Sequence, residues 1–184
     1  MRLVDRVHEL LGESLGEGDL AVDATAGNGW DTAFLASAIG SSGRVHALDL
    51  QEEALASTRE LLRERGLIER VELYHCGHEQ MEELLPREVH GKVGAFVFNL
   101  GYLPGGDKEV TTKADTTAAA LRAALRLLRP GGLLAVIAYR GHPGGKDECE
   151  AARRELETEE VEFSVEGDLS SEATSPLLLV ARKG

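Results

Sequence analysis

The stretch that decides the fold is Leu20-Ala-Val-Asp-Ala-Thr-Ala-Gly-Asn-Gly-Trp-Asp-Thr32. It begins as a short apolar run over 20–25, turns through Gly27 and Gly29, and continues as an alanine-rich helical pattern to about Ile39. A strand that passes through glycines into a helix puts the helix N-terminus at the carboxyl edge of a sheet, where backbone can approach a ligand closely. The stretch therefore predicts an α/β fold with a ligand site at this turn.

Strand and helix patterns alternate on both sides of this stretch, along almost the whole chain. They predict strands at 20–25, 44–49, 71–75, 93–99, 133–139, 161–167 and 177–182, and helices at 3–11, 30–39, 52–65, 116–128 and 146–157. Such alternation predicts a parallel sheet covered on both faces, and the last two strands, with no helix between them, should pair antiparallel. We expect a Rossmann-like fold with a seven-stranded, mostly parallel sheet, helices on both faces and an antiparallel C-terminal strand.

Length and composition place the chain among ordinary globular proteins. Its 184 residues, 42% hydrophobic and 28% charged, suit one domain, and no linker or repeat divides 1–184. The N-terminal stretch carries too many charges for a signal peptide, and no apolar run approaches the roughly 20 residues that a membrane span needs. Cys76 and Cys149 form no CxxC pair and suggest no disulfide framework. We expect a single-domain cytoplasmic protein that does not enter a membrane.

The formal net charge of −12 argues against a nucleic-acid partner if only the sum is considered. Acidic residues are concentrated in 52–83 and 148–172. Basic residues gather between these stretches and at their border: Lys108, Lys113, Arg122, Arg126, Arg129, Arg140, Lys146, Arg153 and Arg154. These charges are either the solvated faces of helices or a local basic face beside the ligand site, and the charge alone does not decide between the two.

The residues around the glycine turn favour S-adenosylmethionine (SAM) as the ligand. A dinucleotide fingerprint has a third glycine where this chain has Thr32, so NAD is disfavoured. Asp23 precedes the turn, where it suits a cationic sulfonium ligand with an amino-acid tail, and Asp49 ends the second strand, where an acid can accept ribose hydroxyls. The predicted SAM contacts are Asp23, Thr25, Gly27, Asn28, Gly29, Asp31, Thr32, Asp49, Gln51, His78 and Asn99. His78 is either an adenine neighbour or a structural or exposed histidine.

The fourth strand delivers Asn99-Leu-Gly-Tyr102-Leu-Pro104 to the same sheet edge. This run resembles the Asn/Asp-Pro-Pro-Tyr/Phe element of amino-group methyltransferases. In that element an amide oxygen and a backbone carbonyl accept hydrogen bonds from the substrate NH2 group and aim the nitrogen lone pair at the methyl group, and such orientation supplies much of the catalysis. The alternative is a strand-ending asparagine that caps a loop.

Two further loops reach this edge and supply the remaining candidates. His142, in Tyr139-Arg-Gly-His-Pro-Gly-Gly145, is either a group that takes a proton from the amine or orients it, or an exposed histidine in a rigid turn. The threonines of 111–117 either cap a helix or meet the substrate. The predicted catalytic residues are Asn99, Tyr102 and His142, and the predicted substrate contacts are Leu100, Gly101, Asp107, Thr112, Thr116 and Arg140.

What the chain lacks also narrows the chemistry. Methylation of a pyrimidine carbon generally needs a cysteine nucleophile beside the loop that follows the fourth strand. Cys76 lies in the loop on the adenine side and Cys149 lies inside a predicted helix, so neither fits that position. The spacing of His, Cys and carboxylate residues is also unlike a zinc site, and we expect no metal.

Several runs together resemble one small family. They are 23–32, 99–108, Thr116-Thr117 and Gly141-His-Pro-Gly-Gly145, and they cover nearly the whole chain. The family is the single-domain bacterial group long labelled putative rRNA methylases, which are class I methyltransferases that use SAM. The resemblance implies methylation of the exocyclic primary amine of 5-aminomethyl-(2-thio)uridine at wobble position 34 of tRNA, with the anticodon stem-loop as partner. One departure is Trp30, where the family has histidine.

Other functions remain open at this point. Within enzymes, the alternatives are an rRNA methyltransferase and a small-molecule N- or O-methyltransferase, which the net charge would suit. A SAM-binding sensor or scaffold without catalysis is an alternative of another class, and an NAD oxidoreductase is more distant. The oligomeric state is open too, although a homodimer would help a small protein to grip tRNA.

Overall fold

The computed structural model describes residues 2–101, 112–158, 160–170 and 173–184. Its strands are β1 (Leu20–Asp23), β2 (Arg44–Asp49), β3 (Val71–His75), β4 (Val93–Leu100), β5 (Leu128–Ala138), β6 (Val161–Glu166) and β7 (Leu177–Lys183). Its helices are α1 (Leu3–Ser14), α2 (Trp30–Ala38), α3 (Glu52–Glu64), α4 (Met81–Leu84), α5 (Ala114–Leu127) and α6 (Gly145–Leu156).

The strands form a single sheet in the order β3-β2-β1-β4-β5-β7-β6. Every neighbouring pair is parallel except those that involve β7, which runs antiparallel to both β5 and β6. The chain order reverses between β1 and β4, and in open α/β sheets ligands bind at the carboxyl edge beside such a switch point. The predicted Rossmann-like architecture, with its antiparallel final strand, is confirmed.

Two hydrophobic cores lie on opposite faces of this sheet, because successive side chains of a strand point to opposite sides. In β4, Phe96 and Phe98 face the core that α5 and α6 cover. Ala95 and Val97 face the other core, which α1, α2 and α3 cover.

The N-terminal helix is longer than predicted and packs into the second core. Its apolar stripe buries Val7 and Leu11, which lie against β4, β5 and α2. The helix therefore lies over the sheet on the same side as the glycine turn. Within the described part of the chain, none of the helices has the length and apolar composition that crossing a membrane requires.

Two segments differ from the predicted elements. Strand β5 begins at Leu128 rather than 133, because the Pro and Gly residues of 129–132 do not interrupt it but form an irregularity opposite Gly94 of β4. Between β3 and β4 the chain forms two 3₁₀ turns and the four-residue helix α4, which no periodic pattern predicted. A helix of one turn is too short to show a repeat of 3.6 residues.

Candidate active site

The glycine turn is pinned to helix α3. Gly27 and Gly29 both have positive φ, at 55° and 83°, a conformation that favours glycine. A Cβ atom on Gly29 would lie 2.8 Å from Cα of Thr58, so α3 can pack this closely only because position 29 has no side chain. Thr58 in turn donates its hydroxyl hydrogen to the carbonyl of Gly27 over 3.1 Å. These contacts fix the N-terminus of α2 beside the ends of β1 and β4.

Asp49 connects the end of β2 to this turn. Its Oδ2 accepts the backbone N–H of Gly27 at 2.9 Å, and its Oδ1 accepts the backbone N–H of Gln51, also at 2.9 Å. Each carboxylate oxygen can accept a second hydrogen bond, so the arrangement still suits the paired hydroxyls of a ribose. Asn28 is half-buried at the turn itself. The structure thus brings Gly27, Asn28, Asp49 and Gln51 together, as the sequence predicts.

Asp23 is fully buried at the end of β1. Its oxygens accept hydrogen bonds from the hydroxyl of Thr32 at 2.6 Å and from the backbone N–H of Thr25 at 3.2 Å. Burial, with a smaller contribution from the charge of Asp31, raises the pKa of Asp23 to about 7. A cationic ligand would favour the ionised form of this carboxylate, so the environment fits a sulfonium group.

Asn99, the predicted catalytic amide, is held at both its backbone and its side chain. Its backbone N–H donates to Oγ1 of Thr25 at 2.7 Å, which ties the end of β4 to the end of β1. Its side-chain Nδ2 donates to Oδ2 of Asp31, also at 2.7 Å. A carboxylate only accepts hydrogen bonds, so this contact fixes which end of the amide is nitrogen. The carbonyl oxygen Oδ1 is therefore turned away from Asp31 and can accept hydrogens from a substrate amine.

His8 is a functional candidate that the sequence analysis missed. Its Nε2 lies 2.6 Å from Oδ1 of Asp31, on the opposite side of the carboxylate from Asn99. Its ring stacks on Phe34, with centroids 4.0 Å apart and planes inclined by 8°. Asp31, predicted as a cofactor contact, thus joins α1 to the end of β4. The available signal was a histidine within the apolar stripe of a predicted helix, four residues after Val4 and three before Leu11.

The segment after β4 is closed by a pair of hydrogen bonds. The backbone N–H of Gly101 donates to Oγ1 of Thr112 at 2.9 Å, and the backbone N–H of Thr112 donates to the carbonyl of Gly101 at 3.1 Å. The side chain of Leu100 is buried in the core, and its carbonyl accepts the backbone N–H of Tyr139 at 3.2 Å. Leu100 can therefore meet a substrate only through its backbone. The predicted residues Tyr102 and Asp107 lie outside the described residues.

The loop after β5 lies against the segment after β4. A Cβ atom on Gly101 would lie 3.7 Å from Nε2 of His142, so the two loops meet at this ring. Nδ1 of His142 lies 3.1 Å from the carbonyl of Pro143, which selects the tautomer with hydrogen on Nδ1. A Cβ atom on Gly145 would lie 2.5 Å from the carbonyl oxygen of Tyr139, so the turn is tight. The turn is therefore rigid, and the half-buried ring of His142 faces Gly101 with its Nε2 shielded from solvent.

His78 is buried in the turn after β3, with its ring centroid 5.8 Å from that of Phe98. Burial lowers the pKa of His78 to about 4, so its imidazole is neutral at physiological pH. A neutral ring here is compatible with adenine. Trp30 lies on the other side of the turn, 58% exposed, with the guanidinium of Arg65 placed over its ring at 5.0 Å. Its ring therefore lies beside Arg65, the residue that follows α3.

Two predicted substrate residues make contacts within the protein. The hydroxyl of Thr116 donates to the carbonyl of Lys113 at 3.1 Å, at the N-terminus of α5. The guanidinium of Arg140 is buried and donates to three backbone carbonyls, those of Asp168, Ser170 and Ser175. Arg140 thus holds the loop that precedes β7, and a phosphate would have to displace these carbonyls to reach it.

Three arginines of the basic stretch are paired with carboxylates. Arg122 pairs with Glu155, and Arg126 pairs with Glu82. Arg129 pairs with Asp19, which precedes β1 at the amino edge of the sheet, opposite the glycine turn. Of the two interpretations of these charges, the ion pairs favour solvated faces for these three arginines, because each guanidinium already meets a carboxylate.

The two cysteines are not activated nucleophiles. Burial raises the pKa of the Cys76 thiol to about 11, so this thiol is not an activated nucleophile. Cys149 is buried inside α6. Among the described residues, no group of His, Cys, Asp and Glu side chains is arranged to hold a metal ion.

Comparison with known proteins agrees with this geometry. A family model described as Putative rRNA methylase matches residues 45–182. The chain belongs to this family. The structure of an rRNA-methylase from Clostridium thermocellum, also described as putative, is 37% identical with a TM-score of 0.90, over 98% of this chain and 96% of that one. A protein described as a putative methyltransferase from Streptococcus mutans, in complex with S-adenosylhomocysteine (SAH), is 33% identical with a TM-score of 0.84, over 100% and 98%. The class I methyltransferase fold is confirmed.

One relative of this chain has a name that specifies a substrate. A chloroplastic tRNA (mnm5s2U34)-methyltransferase of Arabidopsis thaliana is 42% identical over 151 residues, which are 78% of this chain and 54% of the plant protein. The chain therefore spans about half the length of that relative.

Proposed function

We propose that this chain is a SAM-dependent N-methyltransferase that methylates the 5-aminomethyl amine of wobble (2-thio)uridine 34 in tRNA. The observation that carries the proposal is the orientation of the Asn99 amide. Because Nδ2 donates to Asp31 at 2.7 Å, the oxygen Oδ1 is the end that can meet a substrate, and it can only accept a hydrogen bond. An acceptor at this position selects a substrate that carries N–H hydrogens, as a primary amine does.

The residues around the turn fit SAM by their chemistry. The oxygens of Asp49 suit the ribose hydroxyls, the buried carboxylate of Asp23 suits positive charge, and the neutral ring of His78 suits adenine. When bound, SAM supplies a methyl group on a cationic sulfur that leaves as a neutral thioether. The structure with SAH from Streptococcus mutans supports this assignment, because it shares the fold and a third of the sequence.

The acceptor amine must lose a proton before it attacks, since an ammonium ion has no lone pair. The lone pair of the nitrogen then forms a bond to the methyl carbon as the carbon–sulfur bond breaks. The electron pair of the broken carbon–sulfur bond goes to sulfur. We assign the proton to His142, because its ring lies beside Gly101 and the tautomer selected by Pro143 makes Nε2 the basic nitrogen. Asn99 orients the amine through its two hydrogens while the lone pair points at the methyl group.

The tRNA substrate is supported by the plant relative, whose name specifies uridine 34. Because Arg122, Arg126 and Arg129 are all paired with carboxylates, the candidate for a phosphate contact is Lys113, which lies at the N-terminus of α5 near the carboxyl edge. Such contacts would make binding weaken steeply with salt. A homodimer and a cytoplasmic location are part of the same proposal, since a second copy would widen the surface offered to an anticodon stem-loop.

The decisive experiment incubates the protein with labelled SAM and tRNA that carries 5-aminomethyl-2-thiouridine, followed by mass analysis of the nucleosides. We expect one added methyl group on the amine. Asn99→Ala should lower the rate at saturating SAM by about 100-fold, because misplacing the amine costs that order of magnitude. Asn99→Asp should be at least as damaging, because it sets a second carboxylate against Asp31.

Two parallel reactions define the alternatives. Ribosomal RNA is one, because ribosomal RNA small subunit methyltransferase H of Pseudoalteromonas atlantica is 33% identical over 81 residues, 44% of this chain and 25% of that protein. A panel of small primary amines is the other. Methylation of either in place of the tRNA would contradict the wobble-uridine assignment while leaving SAM dependence intact. SAM binding without transfer to any substrate would favour a sensor.

A further inference from the structure

A partly buried chain of hydrogen bonds joins helix α1 to the reacting end of the site. Asp31 is 9% exposed and lies in the first turn of α2. Its Oδ1 lies 2.6 Å from Nε2 of His8, and its Oδ2 accepts the side-chain hydrogen of Asn99 at 2.7 Å. The carboxylate therefore has one donor on each oxygen, and these donors come from residues distant in sequence.

The contact with His8 decides where Asp31 points. A carboxylate that is nearly buried is stable only when its oxygens have donors, and hydrogen bonds to charged groups are stronger than neutral ones. If the donor on Oδ1 is removed, the carboxylate can rotate so that Asn99 Nδ2 or another donor serves the abandoned oxygen. The Asn99 amide would then lose its single orientation. Asp23 also repels Asp31, because both are acids close together, which increases the need for a donor on the far side.

The ring of His8 is itself fixed. It lies nearly parallel to Phe34, at 4.0 Å and 8°. Phe34 is one helical turn after Asp31, so both partners of His8 lie on the same face of α2. The neighbouring residues Val7 and Leu11 bury α1 in the core, and the side chain of His8 is 25% exposed. The ring therefore presents Nε2 to Asp31 in one orientation.

We propose that His8 is a positioning residue for methyl transfer, which acts through Asp31 to hold the Asn99 amide with its oxygen toward the substrate amine. The inference rests on the proposed function, since the oriented amide matters only if an amine is methylated. His8 does not touch the substrate. It makes helix α1 a part of the active site, although α1 lies outside the strand edge that carries the other site residues.

Two substitutions separate the hydrogen bond from the packing. His8→Phe keeps a ring against Phe34 and removes the donor to Asp31. His8→Gln keeps an N–H donor and removes the stacked ring. The same two substitutions at His90 are the controls, because His90 is half-buried and bonded to the carbonyl of Leu85 near the amino edge of the sheet. Melting temperature and SAM affinity are measured for all four variants.

The first readout is kinetic, with tRNA that carries 5-aminomethyl-2-thiouridine. Removing a hydrogen bond to a charged group corresponds to about 10- to 100-fold. We expect His8→Phe to lower kcat by that factor with little change in SAM affinity, and we expect His8→Gln to restore most of it. Both His90 variants should retain the wild-type kcat. Wild-type kcat in His8→Phe, or a His8→Gln variant as slow as His8→Phe, would overturn the proposal.

The second readout needs no substrate and so separates the two proposals. The side-chain amide signals of Asn99, assigned by their loss in Asn99→Ala, are followed by nitrogen–proton NMR. We expect them to shift or broaden in His8→Phe and to return in His8→Gln. If the wild type fails to methylate the tRNA but the signals behave as expected, the proposed function fails and the link from His8 to Asn99 stands. Unmoved signals in a folded His8→Phe variant would refute the link itself.

Discussion

Thr32 donates its hydroxyl hydrogen to Oδ2 of Asp23 over 2.6 Å, which joins the first turn of α2 to the end of β1. Both side chains are fully buried. This hydrogen bond favours the ionised carboxylate, but burial outweighs it and raises the pKa of Asp23 to about 7. At neutral pH Asp23 is therefore close to the midpoint of its titration, and the charge of a bound ligand can decide its ionisation.

SAM binding near pH 7 should consequently release protons. The sulfonium charge favours ionised Asp23 and lowers its pKa, whereas SAH has a neutral sulfur and the same amino-acid tail. Calorimetry in two buffers of different ionisation enthalpy should show more proton release with SAM than with SAH. Asp23→Asn should abolish the difference between the two ligands. Equal release by SAM and SAH in the wild type would contradict the assignment of Asp23 to the sulfonium.

His78 should make the protein less stable in acid. Burial lowers its pKa from 6.5 to about 4, so between those values the unfolded chain binds a proton that the folded protein does not. The contribution of His78 to the free energy of unfolding is fully present above pH 6.5 and is lost as the pH falls toward 4. At pH 5 the loss is about 2 kcal/mol.

The measurement is urea unfolding of the wild type and His78→Gln at pH 7.5 and pH 5. The wild type should lose more stability than the variant between these values. Asp23 acts in the opposite sense over this range, since its raised pKa makes stability fall as pH rises, but it is present in both proteins and cancels in the difference. An identical loss in the two proteins would show that His78 is protonated in the folded state.

Gly29→Ala should reduce stability and SAM binding more than Gly66→Ala, although the two glycines have a similar backbone conformation. Gly29 and Gly66 both have positive φ, at 83° and 67°, so alanine costs about 1 kcal/mol at either position. Only at Gly29 would the new Cβ meet backbone, 2.8 Å from Cα of Thr58, whereas Gly66 has open space. Urea unfolding should show the larger loss for Gly29→Ala, and calorimetry should show weaker SAM binding. Equal losses of stability in the two variants would mean that α3 moves away from the new Cβ atom at little cost.

Arg140 should contribute to stability rather than to phosphate binding. Its buried guanidinium donates to three backbone carbonyls, so Arg140→Gln should cost about 3 kcal/mol of unfolding free energy. Arg122→Gln is the control, because Arg122 is half-exposed in an ion pair with Glu155 and should cost under about 1 kcal/mol. Neither change should alter the salt dependence of tRNA binding. A shallower salt slope in Arg140→Gln would return this residue to the RNA interface.

Most of the fold could be predicted because its signals are local. Apolar runs that end in Gly or Pro marked the strands, and the lack of a helix before β7 predicted its direction. The start of β5 could not be predicted, since Pro130 and two glycines are ordinary helix terminators and only the irregular pairing with β4 shows that they belong to the strand. Helix α4 was missed because it has a single turn.

The candidate site divides in the same way. Asp23, Asp49 and Asn99 could be placed because each lies at or next to the end of a strand, at the same edge of the sheet. The connection from His8 to Asp31 could not, because it joins residues 23 positions apart through the packing of two helices, which no spacing rule describes. The direction of a long side chain was equally hidden: Arg140 lies two residues after the end of β5, yet its guanidinium reaches the loop before β7.

The reciprocal hydrogen bonds between Gly101 and Thr112 have a consequence for how such an enzyme can diversify. They join Gly101 to Thr112, so the two hydrogen bonds offset part of the entropy that is lost when the intervening segment is closed. Because this closure entropy grows only slowly with length, adding or removing residues between them costs little. The same two hydrogen bonds hold the end of β4 next to the residues that precede α5. A change in the number of residues between Gly101 and Thr112 can therefore be tolerated without rebuilding the sheet or the cofactor turn.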